Sequence, residues 1–85
     1  MKLLKCTKCG DVFSLSFEDK KCECGSSKGR YIDRINAEYS GPCIPLGFLN
    51  NEFLSAYLNQ PESGQGKEFT AFVIPKDCKT FKKVD

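Results

Sequence analysis

The chain of 85 residues contains no histidine. Without an imidazole there is no side chain of the usual kind to act as a general base or to activate a thiol, so Cys43 and Cys78 lack the partner that a cysteine nucleophile needs. The carboxylates do not form an acid/base pair either, since Asp33 and Glu38 alternate onto opposite faces of the strand predicted there. We therefore expect a protein that is not an enzyme.

Long apolar runs are also missing. No stretch approaches the ~20 apolar residues of a membrane-spanning helix, so no membrane association is expected. The first residues, Met1-Lys2-Leu3-Leu4-Lys5, lack the apolar core of a secretion signal, which predicts a cytoplasmic location. Disulfides rarely persist in that reducing compartment, so the six cysteines favour metal binding over a disulfide framework, the alternative for a secreted chain.

Four of the cysteines form two close pairs, Cys6 with Cys9 and Cys22 with Cys24, and a glycine directly follows each pair. Glycine tolerates a positive φ, which turns backbone N–H groups towards the sulfurs. Four thiolates suit a tetrahedral Zn²⁺ and leave no open coordination position, so the site is predicted to be structural and to hold one zinc per chain. Iron is the alternative metal because thiolates bind both ions. A thioredoxin-type redox role would leave the second pair without a function.

Cys6-Thr7-Lys8-Cys9-Gly10 resembles the knuckle of zinc ribbons and rubredoxins, and Cys22-Glu23-Cys24-Gly25 resembles a shortened second knuckle. The resemblance covers residues 1–35. It implies two knuckles at the tips of β-hairpins, with the same four cysteines as ligands. The C-x-C spacing departs from the usual C-x-x-C, which makes iron less expected than zinc. The combination with the rest of the chain resembles small uncharacterised proteins of bacteria and their phages.

A short strand is predicted at residues 2–5, where the chain enters the first knuckle. Period-two alternation predicts further strands at residues 12–17, 30–39 and 68–74. The last of these is apolar on both faces and is predicted to be central in its sheet. A helix is predicted at about residues 51–59, where apolar residues recur at i, i+3 and i+4 before Pro61. The predicted class is α+β, a single domain over residues 1–85. Its zinc ribbon, residues 1–35, continues into a small antiparallel sheet with one short helix in residues 36–85.

An apolar segment from Cys43 to Leu49 lies between the strand predicted at residues 30–39 and the predicted helix. Residues 41–47 include two prolines and two glycines, which predicts a shaped loop without regular structure. Such a loop either fills the core or contacts a partner. Its candidate partner-binding residues are Ile44, Leu46 and Phe48.

The formal net charge is +2, and a metal centre of four thiolates and one Zn²⁺ would bring it close to zero. Basic residues are concentrated in the first 34 residues. They either screen the negative metal centre or bind nucleic acid, as the resemblance to zinc ribbons implies. The candidate nucleic-acid-binding residues are Lys5, Lys8, Lys20, Lys21, Lys28 and Arg30.

Together these features predict a small zinc-stabilised binding or adaptor module whose partner is another protein. Nucleic-acid binding is the alternative function. Binding of a small ligand by residues beyond the ribbon is a weaker alternative, for which the sequence has no fingerprint.

Overall fold

The computed structural model describes residues 2–84, which form eight strands and one helix. The elements are β1 (Lys2–Cys6), β2 (Val12–Ser14), β3 (Lys20–Lys21), β4 (Lys28–Tyr31), β5 (Ala37–Ser40), β6 (Cys43–Phe48), α1 (Asn50–Leu58), β7 (Ala71–Val73) and β8 (Phe81–Lys83). The predicted α+β class is confirmed. The helix lies where apolar periodicity predicted it.

The strands form two four-stranded sheets. The first has the order β2-β1-β6-β7 and is antiparallel throughout. The second has the order β3-β4-β5-β8, and within it only β5 and β8 pair in parallel. The two cysteine pairs therefore belong to hairpins of different sheets, β1–β2 and β3–β4.

The core lies between the two sheets and takes side chains from both. Its buried members are Leu4, Leu15, Ala37, Tyr39, Ile74 and Phe81. Phe81 is completely buried, and its ring meets that of Tyr39 edge-on at 4.9 Å between centroids. Burial of this aromatic side chain near the C-terminus explains why β8 joins the second sheet.

The predicted continuous strand over residues 30–39 is wrong. The chain turns between β4 and β5, and Asp33 holds this turn. Its carboxylate accepts the backbone N–H groups of Ile35 at 2.8 Å and Asn36 at 2.7 Å, and the Asn36 side-chain amide at 2.9 Å. Side-chain bonds of this kind compete with a strand ladder, and here they override the apolar alternation that predicted one. Ile32 and Ile35 are consequently exposed.

The predicted irregular loop over residues 43–49 is also wrong, because β6 occupies most of it and pairs with β1 and β7. Proline is tolerated where its missing N–H leaves no partner unsatisfied. The carbonyl of Pro45 accepts a hydrogen bond from the N–H of Ile74, which lies just beyond the end of β7. The Pro45 ring therefore lies where the β6–β7 ladder ends. Gly47 is needed because a Cβ there would lie 2.8 Å from the Phe72 ring.

The strand predicted at residues 68–74 is shorter than expected and lies at an edge. β7 has three residues, all exposed, and it neighbours only β6. The residues before it leave the sheet because Phe69 packs against Phe48 and Phe53, with centroid distances of 5.1 and 4.8 Å. The strand predicted at 12–17 likewise ends early, at Ser14. Nowhere in residues 2–84 does a helix combine the length and apolar character that crossing a membrane requires.

Candidate metal centre

The two sheets bring four cysteine sulfurs together at one end of the molecule. Cys6 ends β1 and Cys9 lies in the turn to β2, whereas Cys22 and Cys24 lie in the turn between β3 and β4. All four Sγ atoms lie within 4.8 Å of one another. The Sγ of Cys24 is 3.8 Å from that of Cys6 and 3.5 Å from that of Cys22.

These distances fit a single ion. A tetrahedral metal with metal–sulfur bonds of about 2.3 Å has sulfur–sulfur edges of about 3.8 Å. The donor set is four thiols, which are soft ligands suited to zinc or iron. The four cysteines predicted as ligands therefore form a group that could hold one metal ion.

A left-handed glycine completes each cysteine turn. Gly10 has φ 81° and donates its N–H to the Cys6 carbonyl at 2.9 Å, while Gly25 has φ 78° and donates to the Cys22 carbonyl at 3.0 Å. The C-x-C turn is one residue shorter, so its closing hydrogen bond spans three residues instead of four. The shorter turn still directs both sulfurs towards the same point.

Backbone and hydroxyl donors surround the two buried sulfurs. The N–H of Cys9 donates to Cys6 Sγ at 3.4 Å, and the N–H of Ser27 donates to Cys22 Sγ at 3.3 Å. Such donors favour the thiolate over the thiol. The Ser27 hydroxyl, followed by the backbone N–H of Cys9, lowers the pKa of Cys6 to about 6.

Ser27 is fully buried, and within residues 2–84 its hydroxyl group makes no hydrogen bond while Cys6 is a neutral thiol. Burial of such a group costs free energy unless it meets an acceptor. A thiolate at Cys6 provides that acceptor. The unpaired hydroxyl therefore fits a site whose sulfurs are ionised, as metal ligation requires.

The four sulfurs do not all ionise with equal ease. The Ser26 hydroxyl lowers the pKa of Cys24. At Cys9 the N–H groups of Asp11 and Cys24 favour the thiolate, but burial and the adjacent sulfurs outweigh them and raise the pKa of Cys9. Adjacent negative charges repel, so a cation is needed before all four thiols lose their protons.

The turns around the sulfurs are tied to one another by contacts that the sequence did not reveal. The Asp11 carboxylate accepts the Glu23 N–H at 3.0 Å, which connects the two cysteine turns. Thr7 donates its N–H and its hydroxyl to the Pro42 carbonyl at 2.8 and 2.9 Å. Gly41, which the sequence marked only as part of a predicted loop, has φ 95° and lies against the backbone of Ser26.

Cys43 and Cys78 form no disulfide and lie outside the four-sulfur group. Cys43 is directly opposite Cys6 in the β1–β6 ladder, but its sulfur donates to the Ser40 carbonyl at 3.6 Å. The Thr80 hydroxyl lowers the pKa of Cys78. Both side chains pack against the core.

The basic residues predicted to bind nucleic acid are divided between the sheets. Lys21 lies directly opposite Lys28, and Arg30 follows on the same face of the second sheet, away from the core. Arg30 is paired with Glu38, with Nε 3.1 Å from the carboxylate. Lys5 lies on the first sheet and donates to the Gly10 carbonyl. Lys8 is exposed in the first cysteine turn, and Lys20 aligns with the buried Gly29.

The candidate partner-binding residues alternate along β6. Pro45 is opposite the core residue Leu4, so Ile44, Leu46 and Phe48 point to the other side of the first sheet. Ile44 is 37% exposed, whereas the half-buried Phe48 packs against the Phe53 ring of α1.

Neighbouring strands extend this row of apolar side chains. Leu46 lies opposite Val73 of β7, which is 64% exposed. Ile44 and Val12 lie on either side of Lys5. Val12, Ile44, Leu46 and Val73 are hereafter called the outer apolar face.

Scans of protein-family models, of curated proteins and of solved structures found no match to this chain.

Proposed function

We propose that this protein is a zinc-stabilised, non-catalytic module that binds another protein through the outer apolar face. The observation that carries the proposal is the exposure of this face on a sheet whose opposite side forms the core. Val12 and Val73 are each about half exposed or more, and Ile44 lies between them. Lys5 lies between Val12 and Ile44 on this face, so the apolar residues flank one positive charge. Exposed apolar side chains grouped beside polar ones are typical of protein interaction sites.

Zinc is the metal proposed for the four-cysteine group. Four thiolate ligands form a closed tetrahedral site, which has no position for substrate or water and therefore stabilises the fold instead of catalysing a reaction. Native mass spectrometry should find one zinc per chain in wild type and a loss of zinc in Cys24→Ser. A coloured protein with bound iron would contradict the proposed metal.

The interaction is tested by photo-crosslinking from the outer apolar face in the source cell, comparing Ile44→Asp with Ile35→Asp. Ile35 is an exposed apolar residue in the β4–β5 turn, outside the outer apolar face. We expect one set of crosslinked proteins to disappear in Ile44→Asp and to persist in Ile35→Asp. Identical crosslinks in both variants, or none in wild type, would contradict the proposal.

Nucleic-acid binding is a second candidate, and the pairing of β3 with β4 supports it. Lys21 and Lys28 are exposed and directly opposite each other, and two like charges in this position favour binding of an anion. Arg30 lies on the same face. A nucleic-acid complex should weaken steeply as salt rises, and Lys21→Glu should weaken it further. Affinity that is unchanged by salt would exclude this candidate.

A further inference from the structure

The free edge of β7 has backbone groups without a ladder partner in the first sheet. Thr70 accepts from Leu49, and Ile74 donates to Pro45, so the even-numbered residues direct their backbone groups towards β6. The odd-numbered residues Ala71 and Val73 therefore direct their N–H and C=O groups away from β6. An exposed edge with this arrangement is a template for one more strand.

The edge strands of the second sheet are protected by charge, but β7 is not. β3 consists of two lysines, and β8 ends in Lys82 and Lys83. Lysines at sheet edges oppose pairing with another chain. β7 has the sequence Ala-Phe-Val, and all three residues are exposed. Phe72, the middle residue, is 44% exposed.

The charged residues that flank β7 differ in sign, so two copies of the strand in antiparallel orientation bring opposite charges to the same end. In an antiparallel pairing of two β7 strands about a two-fold axis at Phe72, Ala71 of one copy lies opposite Val73 of the other. The same axis brings Glu68 of one copy and Lys76 of the other to the same end of the paired strands, and both side chains are exposed. Opposite charges at the two ends of the paired strands favour this antiparallel orientation, and the symmetry places one such pair at each end.

The backbone is suited to the same register. Ala71 and Val73 both face the free edge, so they form a hydrogen-bonded pair across the interface, twice in the dimer. Phe72 then falls at a non-hydrogen-bonded position on the axis, where facing side chains approach most closely. Pro75, directly after Ile74, limits how far the ladder extends.

We propose that two copies of this chain dimerise through antiparallel β7–β7 pairing about Phe72, which joins their first sheets into one sheet of eight strands. The dimer goes beyond the proposed protein-binding function and does not depend on it. It would also bring the two outer apolar faces together across the axis, since Val73 of each copy lies beside Ala71 of the other.

Sedimentation equilibrium of the zinc-loaded full chain tests the dimer with Ala71→Pro. Proline at this position removes an N–H that faces the free edge and leaves the β6–β7 hydrogen bonds in place. We expect wild type to show a monomer–dimer equilibrium and Ala71→Pro to dimerise about thirtyfold more weakly, because two symmetry-related hydrogen bonds are lost. Wild type that is monomeric up to millimolar concentration would overturn the proposal.

A charge exchange tests the antiparallel orientation. Glu68→Lys should weaken dimerisation by about threefold to tenfold, because it puts a second positive charge at the end of the paired strands where Lys76 of the other copy lies, and Glu68→Lys with Lys76→Glu should restore it. Both residues are exposed, and circular dichroism with zinc content will verify that each variant is folded. Dimerisation that is unaffected by Ala71→Pro, or a double variant that is no tighter than Glu68→Lys, would overturn this register. Crosslinks lost only in Ile44→Asp would still support the proposed function.

Discussion

Gly41 combines a positive φ with close packing against the backbone of Ser26. Its φ of 95° is rarely adopted by other residues, and a Cβ would lie 2.1 Å from the Ser26 carbonyl oxygen. Ser26 and Ser27 in turn surround the second cysteine pair. The short C-x-C turn therefore depends on a glycine that is distant from it in sequence.

Replacement of Gly41 by alanine should destabilise the zinc-loaded protein by at least about 2 kcal/mol, since it adds a backbone clash to the cost of the positive φ. Urea unfolding measures this change. Gly64→Ala is the matched control, because Gly64 has φ 85° but no atom within 4 Å of its added Cβ. It should cost only about 1 kcal/mol. Equal losses in the two variants would show that the contact with Ser26 is unimportant.

Ser27 acts on the metal centre through a proton equilibrium. The pKa of Cys6 is lowered to about 6 from an ordinary value of 9.0. The Cys6 thiolate therefore contributes its full stabilisation of the folded protein above the ordinary pKa. The contribution is lost as the pH falls through the lowered value. Ser27→Ala removes the hydroxyl that is the main cause, so protons compete with the metal at a higher pH.

For Ser27→Ala we therefore expect zinc release at a pH higher by about half a unit. A chromophoric zinc indicator during acid titration measures the release. Ser14→Ala, at an exposed position in β2, should leave the midpoint unchanged. A midpoint in Ser27→Ala equal to that of wild type would contradict the role of the hydroxyl.

At the scale of elements, the turn between β4 and β5 converts one predicted strand into a hairpin. The Asp33 carboxylate stabilises this turn by accepting three hydrogen bonds. The hydrogen bond from the Asn36 side chain is the main cause of the lowered pKa of Asp33. A carboxyl group with a lowered pKa stabilises the fold above its ordinary pKa of 3.8. That stabilisation is lost as the pH falls through the lowered pKa.

Asp33→Ala should lower the Tm by several degrees at neutral pH, where all three hydrogen bonds are made. The difference from wild type should shrink in acid, as the pH falls through the lowered pKa and the wild-type carboxylate is protonated. Thermal unfolding followed by circular dichroism at neutral and at acidic pH tests this. Asp19→Ala, an exposed carboxylate 3.8 Å from Arg30, is the control and should change the Tm little. A Tm difference for Asp33→Ala that is the same at both pH values would contradict the assignment.

The elements also show where sequence patterns were sufficient. β1 and α1 were predicted within a residue of their observed bounds, because the first cysteine turn limits β1 and helical periodicity before Pro61 marks α1. β6 was not, since proline and glycine are poor strand formers by themselves. Pro45 is accommodated only because its ring lies where the neighbouring strand ends. This condition depends on the partner strand and cannot be read from the segment alone.

At the scale of the whole molecule, the four-cysteine group connects the two sheets at one end, and zinc is the metal proposed for it. Apparent binding free energies of about 10 kcal/mol for structural zinc are as large as the whole stability of a small domain. Removal of zinc by a chelator should therefore unfold most of the chain, and added zinc should restore the far-ultraviolet circular dichroism. Unchanged thermal unfolding after complete removal of the metal would contradict a structural role.

Cysteine variants separate this effect from general damage. Cys24→Ser should lose zinc and fold poorly, whereas Cys78→Ser should retain one zinc per chain. Cys78 is half-buried and lies outside the four-sulfur group, so its replacement is a matched control for loss of a thiol. Loss of zinc from both variants would require a different ligand set.

The sequence by itself determined the chemistry of the cysteine group and the position of the helix. Cysteine spacing, the following glycines and helical periodicity are local features, and local geometry fixes their outcome. Only the tertiary structure decided that the two cysteine pairs lie on different sheets, that Ser27 is buried beside Cys6, and that β7 has a free edge. Those facts depend on which strands pair, and strand pairing is determined by contacts between residues distant in sequence.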